Sequence, residues 1–223
     1  QFDHADAFSE GLASIRVGRK TGFIDINGNV AITPRFDWAE AFSDGLARVQ
    51  VNDLWGFADP SGKVVVEPQF VKALDCRQGY AAVKANGKWG YINKSGRWAI
   101  EAEWDDAQYY SGGLGCVRRS ERWGYIDASG TEVIGPQYLS AMPFFEGLAR
   151  VWVSGKWGVI NTTGETVIKP AYRWANDFAG GMAAVQVTEP DETGKCKCGF
   201  IDRTGKMVIE PTFDWALNFS DGL

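Results

Sequence analysis

Histidine is nearly missing from this chain: His4 is the only one in 223 residues. A Ser-His or Cys-His nucleophilic pair would have to use that one ring, near the start of the chain. G-x-S-x-G, H-E-x-x-H and P-loop motifs are also absent. The four cysteines, Cys76, Cys116, Cys196 and Cys198, match no disulfide framework and no paired spacing of a zinc site. No apolar run approaches the roughly 18 residues of a membrane-spanning helix. Basic residues are outnumbered, 23 Lys and Arg against 28 Asp and Glu, which argues against a phosphate-binding face. No signal peptide is recognisable, and the chain opens in mid-pattern at Gln1 rather than Met, as a piece of a longer protein would. The expectation is a protein without cofactor, metal, nucleic-acid partner or membrane span, and not an enzyme. One catalytic arrangement stays open, a pair of carboxylates across a groove, because sequence does not give distances between units. Localisation is unknown from these features.

Glycine and tryptophan are abundant, 27 and 10 residues, and both are periodic. Rows of 34 residues begin at Gln1, Arg35, Gln69, Glu103, Gln137 and Ala171, with a partial seventh from Thr212 to Leu223. Five rows are ungapped, and the sixth carries a 7-residue insertion around 188–195. A self-similar period of this length marks a repeat architecture, so 1–223 reads as a single array. Three glycine columns run down the rows, one of them Gly22, Gly56, Gly90, Gly124, Gly158 and Gly199. Another runs from Gly11 to Gly222, and an aromatic column runs from Phe8 to Phe219. Trp55, Trp89, Trp123 and Trp157 share a column whose outer members are Thr21 and Cys198.

Within a row, Leu46 to Val51 alternates with period two and predicts a strand, Asn52-Asp53 a tight hairpin loop, and Leu54 to Asp59 a second strand. Asn86-Gly87 and Ser154-Gly155 repeat the loop. Asp59 to Gly62 predicts a turn in which the carboxylate bonds its own backbone and the glycine is left-handed. Lys63 to Glu67 is a third strand that Pro68 is expected to end. About a dozen irregular residues then return to the next row, spaced so that a helical turn is permitted. The expected fold is all-β: a three-stranded antiparallel meander in each repeat, stacked as a propeller-like open or incompletely closed array.

The pattern G-L-A-x-V, G-K-W-G-Y-I-N/D-x-x-G, V-I-x-P-x-F/Y-D-x-A-x-x-F-S-E-G resembles that of the bacterial WG-repeat (KWG-repeat) family, over the whole chain. The resemblance implies an interaction role and no catalytic residue set. Thr21, Cys198, Cys76, Ala102 and the insertion depart from its pattern.

A residue demanded by nearly every repeat is explained by packing, so Trp55, Trp89, Trp123 and Trp157, with Gly56, Gly90, Gly124 and Gly158, read as structural. The column His4, Trp38, Lys72, Asp106, Ser140, Trp174, Trp215 tolerates charge yet holds three tryptophans. Trp38, Trp174 and Trp215 are thus candidates for ligand or partner contact, with Asp37 and Asp214 placed to orient a hydroxyl or amine. Partial burial against the return segment is the competing account. Asp25 to Asn29 resembles a calcium loop only in part and reads as a turn. The insertion from Thr188 to Cys198 reads as a longer hairpin loop, Cys198 filling the vacated Trp position. The functional expectation is a non-enzymatic scaffold for protein or peptide partners; the alternative is a carbohydrate or cell-wall binding module using exposed Trp.

Overall fold

In the computed structural model, residues 2–187, 190, 192 and 194–217 are described. Phe219, Gly222 and several insertion residues (Thr188, Glu189, Asp191, Thr193) lie outside them. The described residues form strands and turns without a helix. The first sheet is β1 (His4–Ala5), β2 (Leu12–Val17), β3 (Lys20–Asp25) and β4 (Val30–Phe36). The second is β5 (Trp38–Ser43), β6 (Leu46–Val51), β7 (Leu54–Ala58) and β8 (Val64–Phe70). β9 (Lys72–Ala73), β10 (Tyr80–Ala85), β11 (Lys88–Asn93) and β12 (Trp98–Trp104) make the third. The fourth comprises β13 (Asp106–Ser111), β14 (Leu114–Arg119), β15 (Arg122–Ile126) and β16 (Glu132–Tyr138). β17 (Ser140–Ala141), β18 (Leu148–Val153), β19 (Lys156–Asn161) and β20 (Thr166–Tyr172) form the fifth. β21 (Trp174–Ala175), β22 (Met182–Gln186), β23 (Cys198–Asp202) and β24 (Met207–Phe213) form the sixth.

Each repeat therefore has four strands, one more than the meander expected. The extra strand comes from the return segment, which makes no helical turn. In four of the six sheets it is only two residues long, as in His4↔Arg16 and Ala5↔Ile15.

Pro68 does not end its strand: β8 continues through it to Phe70. The reason is a bulge. Phe57 pairs with Val66 and Trp55 with Phe70, so two residues of β7 are spanned by four of β8. Proline has no N–H to give the ladder and is tolerated where the ladder is already interrupted. The third repeat keeps the same bulge (Tyr91↔Ile100, Trp89↔Trp104) with Ala102 in place of proline. Glycine is what the bulge demands. A Cβ built on Gly56 would sit 2.3 Å from the Val66 carbonyl oxygen and 2.6 Å from the Pro68 nitrogen, and one on Gly90 would sit 2.5 Å from the Ile100 oxygen.

Both hairpin loops of a repeat turn through positive φ at two successive residues, as a two-residue type I′ connection requires. Asp44 and Gly45 have φ 53 and 79, Asn86 and Gly87 51 and 81. The third turn is as predicted: Asp59 accepts the Ser61 and Lys63 N–H groups at 2.9 and 3.1 Å, and Gly62 has φ 85. Asp25 does the same with Asn27 and Asn29. Among the described residues no group of His, Cys, Asp and Glu is placed to hold a metal.

The chain divides into two compact units, Gln1–Tyr110 and Ser111–Leu223. In the first, Phe23, Ile32, Phe36, Phe42 and Val49 make one buried cluster, and Phe57, Val66, Phe70, Val83 and Ile92 another. In the second, Tyr125, Ile134, Phe144 and Ile160 are buried together, as are Val159, Ile168, Phe178 and Val185. Each such side chain contributes about 1.5–3 kcal/mol when fully buried.

Neighbouring repeats are also joined by the F-S-E/D-G segment. Ser9 Oγ donates to the Phe42 carbonyl at 2.7 Å and Ser43 Oγ to the Cys76 carbonyl at 2.8 Å. Glu10 accepts the Gly45 N–H at 2.9 Å, and Glu146 accepts those of Gly180 and Gly181. Asp44 accepts the Gly79 N–H at 2.5 Å and pairs with Lys94 at 2.6 Å.

Candidate functional site

In every repeat the signature position lies in the middle of one cross-strand row. In the second sheet the row is Trp38–Gln50–Trp55–Phe70, and in the first His4–Arg16–Thr21–Phe36. The Trp38 column is thus the outer end of this row, carried on the return strand.

Trp89 is buried, while Trp55, Trp123 and Trp157 are half-buried against the hydrophobic clusters of their units. Arg48 and Arg150 lie over the Trp55 and Trp157 rings at 5.1 and 5.2 Å. Each arginine is fixed in turn: Arg48 by Asp75 at 2.5 Å and the Ala73 carbonyl, Arg150 by Asp177 at 2.7 Å and the Ala175 carbonyl. Cation and ring face attract through the quadrupole of the ring.

Trp38 is 41% exposed at the start of β5. Its indole N–H donates to Glu40 at 3.0 Å, and Arg16 lies over its ring at 5.4 Å. Asp37 is occupied by the scaffold: Lys20 reaches it at 2.7 Å and the Asn52 N–H at 2.8 Å. The Lys20 hydrogen bond, with that of Asn52, holds the Asp37 carboxyl below the ordinary carboxylate range. Lys88–Asp105 and Lys197–Asp214 repeat this pair at 2.5 and 2.7 Å. In the second unit Trp174 is half-buried on a cluster of Ala184, Cys198 and Ala216, whereas Trp215 is 69% exposed. Trp38 with Asp37 therefore belongs to the first unit, and Trp174, Trp215 and Asp214 to the second.

Two clefts are associated with the departures from the signature tryptophan: Thr21 lines one itself, whereas Cys198 meets the other only through its cross-strand neighbour Gln186. Thr21 and Ala39 lie in one of about 160 Å³, walled by Trp38 and Arg16 with His4 and Asp6 at its polar side. Ser14, buried, donates its hydroxyl to Asp6, and His4 Nδ1 lies 3.6 Å from the same carboxylate. The second cleft, about 480 Å³, is lined by Arg173, Gln186, Cys196 and Asp214, with Gly194 and Lys195. Gln186 is there the cross-strand partner of Cys198. Cys76, Cys116 and Cys198 are buried free thiols. Burial, with the nearby Asp44 charge, pushes the Cys76 thiol up to about 12, and burial raises Cys198 as well. Neither is a ready thiolate. The first cleft was not anticipated as a site, although the replacement of Trp by Thr21 was its visible signal.

The family model "WG containing repeat" matches residues 22–55, 55–89, 89–121, 123–157, 157–189 and 199–223. The chain belongs to the WG-repeat family. A comparison with curated proteins finds no match. Solved structures do match in fold. A eukaryotic initiation factor aligns with TM-score 0.59 and 10% identity over 94% of this chain, which spans 65% of that protein's length. Hsv2 of Kluyveromyces lactis aligns at 0.54 with 8% identity over 88% of this chain and 73% of its own. Dihydro-heme d1 dehydrogenase NirN, in complex with DHE, aligns at 0.50 with 13% identity over 95% of this chain and 55% of its own. These likenesses extend to the fold, an all-β, propeller-like repeat architecture whose four-stranded antiparallel sheets correspond to blades. WG repeats thus supply a repetitive β scaffold.

Proposed function

We infer that this WG-repeat array is a non-enzymatic interaction module whose partners are proteins or peptides. The observation that carries the reading is the division of labour among tryptophans. Trp55, Trp89, Trp123 and Trp157 are packed into the repeats, whereas Trp38 and Trp215 remain exposed on them. An exposed indole loses apolar contact with water and gains packing when a partner covers it, which is why Trp recurs at binding hot spots. Trp38 walls a cleft with a polar side, a common composition for peptide recognition, and Asp214, which precedes Trp215 in the chain, lines the second cleft. The acid–base groups present favour binding over catalysis: Ser14 bonds the Asp6 carboxylate rather than His4.

Sugar binding would draw on the same indoles. Arg16 already lies over the Trp38 ring, where a pyranose would stack, and that favours the peptide reading. Panning a peptide display library against the full chain is the test. Enrichment of peptides whose binding falls on Trp38→Ala or Trp215→Ala supports the reading. Failure to enrich any peptide, with retention on a glycan array, would replace it with the carbohydrate alternative.

A further inference from the structure

We propose that the cleft at Thr21 is a socket for one aromatic side chain of a partner peptide, tryptophan foremost. The proposal rests on the peptide-binding reading and gives it a site and a ligand chemistry. The chain itself supplies the template. Ala39 stands as far beyond Thr21 as Ala73 beyond Trp55, Ala141 beyond Trp123 and Ala175 beyond Trp157. In those three repeats the indole covers a buried cluster that includes the corresponding alanine. Around Thr21 the same place is a cleft bounded by Ala39 and Ile15. Relative to two of those three repeats a second large group is missing as well; in the Trp123 repeat the same position is Cys116. Arg48 and Arg150, which lie over Trp55 and Trp157, have Ser14 as their counterpart in the first repeat.

An indole and a guanidinium are thus replaced by two small hydroxyl side chains, Ser14 and Thr21, the buried polar residues of the protein's described core. The space that results keeps the apolar floor which receives an indole elsewhere. Its wall adds the Trp38 ring, whose stacking face Arg16 covers and whose edge is available for an edge-to-face contact. Aromatic pairs contribute about 0.5–1.5 kcal/mol beyond burial. Its polar side offers Asp6, whose carboxylate accepts from Ser14 and retains capacity for a second donor such as an indole N–H. An aliphatic side chain would fill the floor but leave the ring and the carboxylate unused, hence the preference for tryptophan.

Heteronuclear NMR of the full chain with N-acetyltryptophanamide as probe tests the socket. Titration should shift the Thr21 amide and the Trp38 indole resonances. N-acetylleucinamide should shift them much less at equal concentration. Thr21→Trp refills the space with the signature indole and should abolish the shifts, while Thr21→Val, which leaves the space open, should retain them. Should Thr21→Trp fail to fold, Trp38→Ala serves in its place, since removing an exposed wall residue should weaken binding of the probe about tenfold. Absence of shifts in the wild type, or shifts that persist in Thr21→Trp, would overturn the socket. A socket that takes the probe in a protein that enriches no peptide would sink the peptide reading and leave the socket standing. Peptides bound equally by wild type and Thr21→Trp would do the reverse.

Discussion

Gly90 and Gly87 lie three residues apart and are glycines for opposite reasons. Gly87 has φ 81 with open space where a Cβ would be, so its requirement is conformational. Asparagine tolerates that region, and Asn52, Asn86 and Ser154 already adopt it elsewhere in the chain. Gly90 is steric: a Cβ would fall 2.5 Å from the Ile100 oxygen and 2.8 Å from the Ala102 nitrogen, both backbone atoms. Gly90→Ala is therefore expected to destabilise by more than about 3 kcal/mol, and Gly87→Asn by less than about 1 kcal/mol. Denaturant unfolding of the two variants measures the difference. Tyr125 gives a gentler case at the same scale. Its buried hydroxyl donates to the Met142 carbonyl at 2.8 Å, and burial raises its pKa above the ordinary phenol value. Tyr125→Phe should cost about 1 kcal/mol by the same measurement.

At the scale of the element, the turn between β5 and β6 joins its repeat to the next through Asp44. Burial works against the charge of this carboxylate, but Lys94 and the Gly79 N–H outweigh it and hold its pKa below the ordinary aspartate range. A carboxyl depressed in the folded state stabilises fully above its unfolded pKa and loses that contribution as pH falls through the lower folded value. Asp44→Asn should thus be less stable than wild type by a constant amount above about pH 5, with the gap closing below about pH 4. Unfolding curves across that range would show a pH-independent gap if the pairing contributed nothing. The exposed turn aspartates respond in the same direction: the Ser61 hydroxyl and then the turn N–H groups lower the pKa of Asp59, and Ser129 and Thr204 do so for Asp127 and Asp202. Acid should weaken wild type and Asp44→Asn alike through these turns.

Strands and turns with strong local signals were legible in the sequence. The alternation of Leu46 to Val51 and the Asn86-Gly87 dipeptide locate a hairpin without tertiary information. The return strand was not, because two residues such as Lys72–Ala73 carry no periodicity. Their pairing is imposed by the position of the next hairpin. Pro68 misled for a related reason: proline signals the loss of one hydrogen bond, and a bulge had already removed it.

For the whole molecule, repetition separates what builds the fold from what can vary. Columns filled in nearly every repeat supply the bulge, the turns and the links between neighbours; the departure at Thr21 lines a cleft, and the departure at Cys198 pairs across the strands with Gln186, which lines the other. A sequence shows such a departure as a missing residue, and only packing shows whether the gap collapses or stays open. Thr21 and Cys198 are both buried, yet Thr21 lines a cleft of about 160 Å³ and Cys198 is not part of the lining of the second cleft, a difference that side-chain volume alone does not predict. The account claims that stability and binding rest on different tryptophans. Trp89→Ala should cost about 3–5 kcal/mol as a buried aromatic truncation, and Trp38→Ala less than about 1 kcal/mol. The most direct test is binding calorimetry of a library-selected peptide with both variants, under conditions where both are folded. The account predicts that affinity drops about tenfold for Trp38→Ala and is unchanged for Trp89→Ala; an affinity lost with Trp89 and untouched by Trp38 would contradict it.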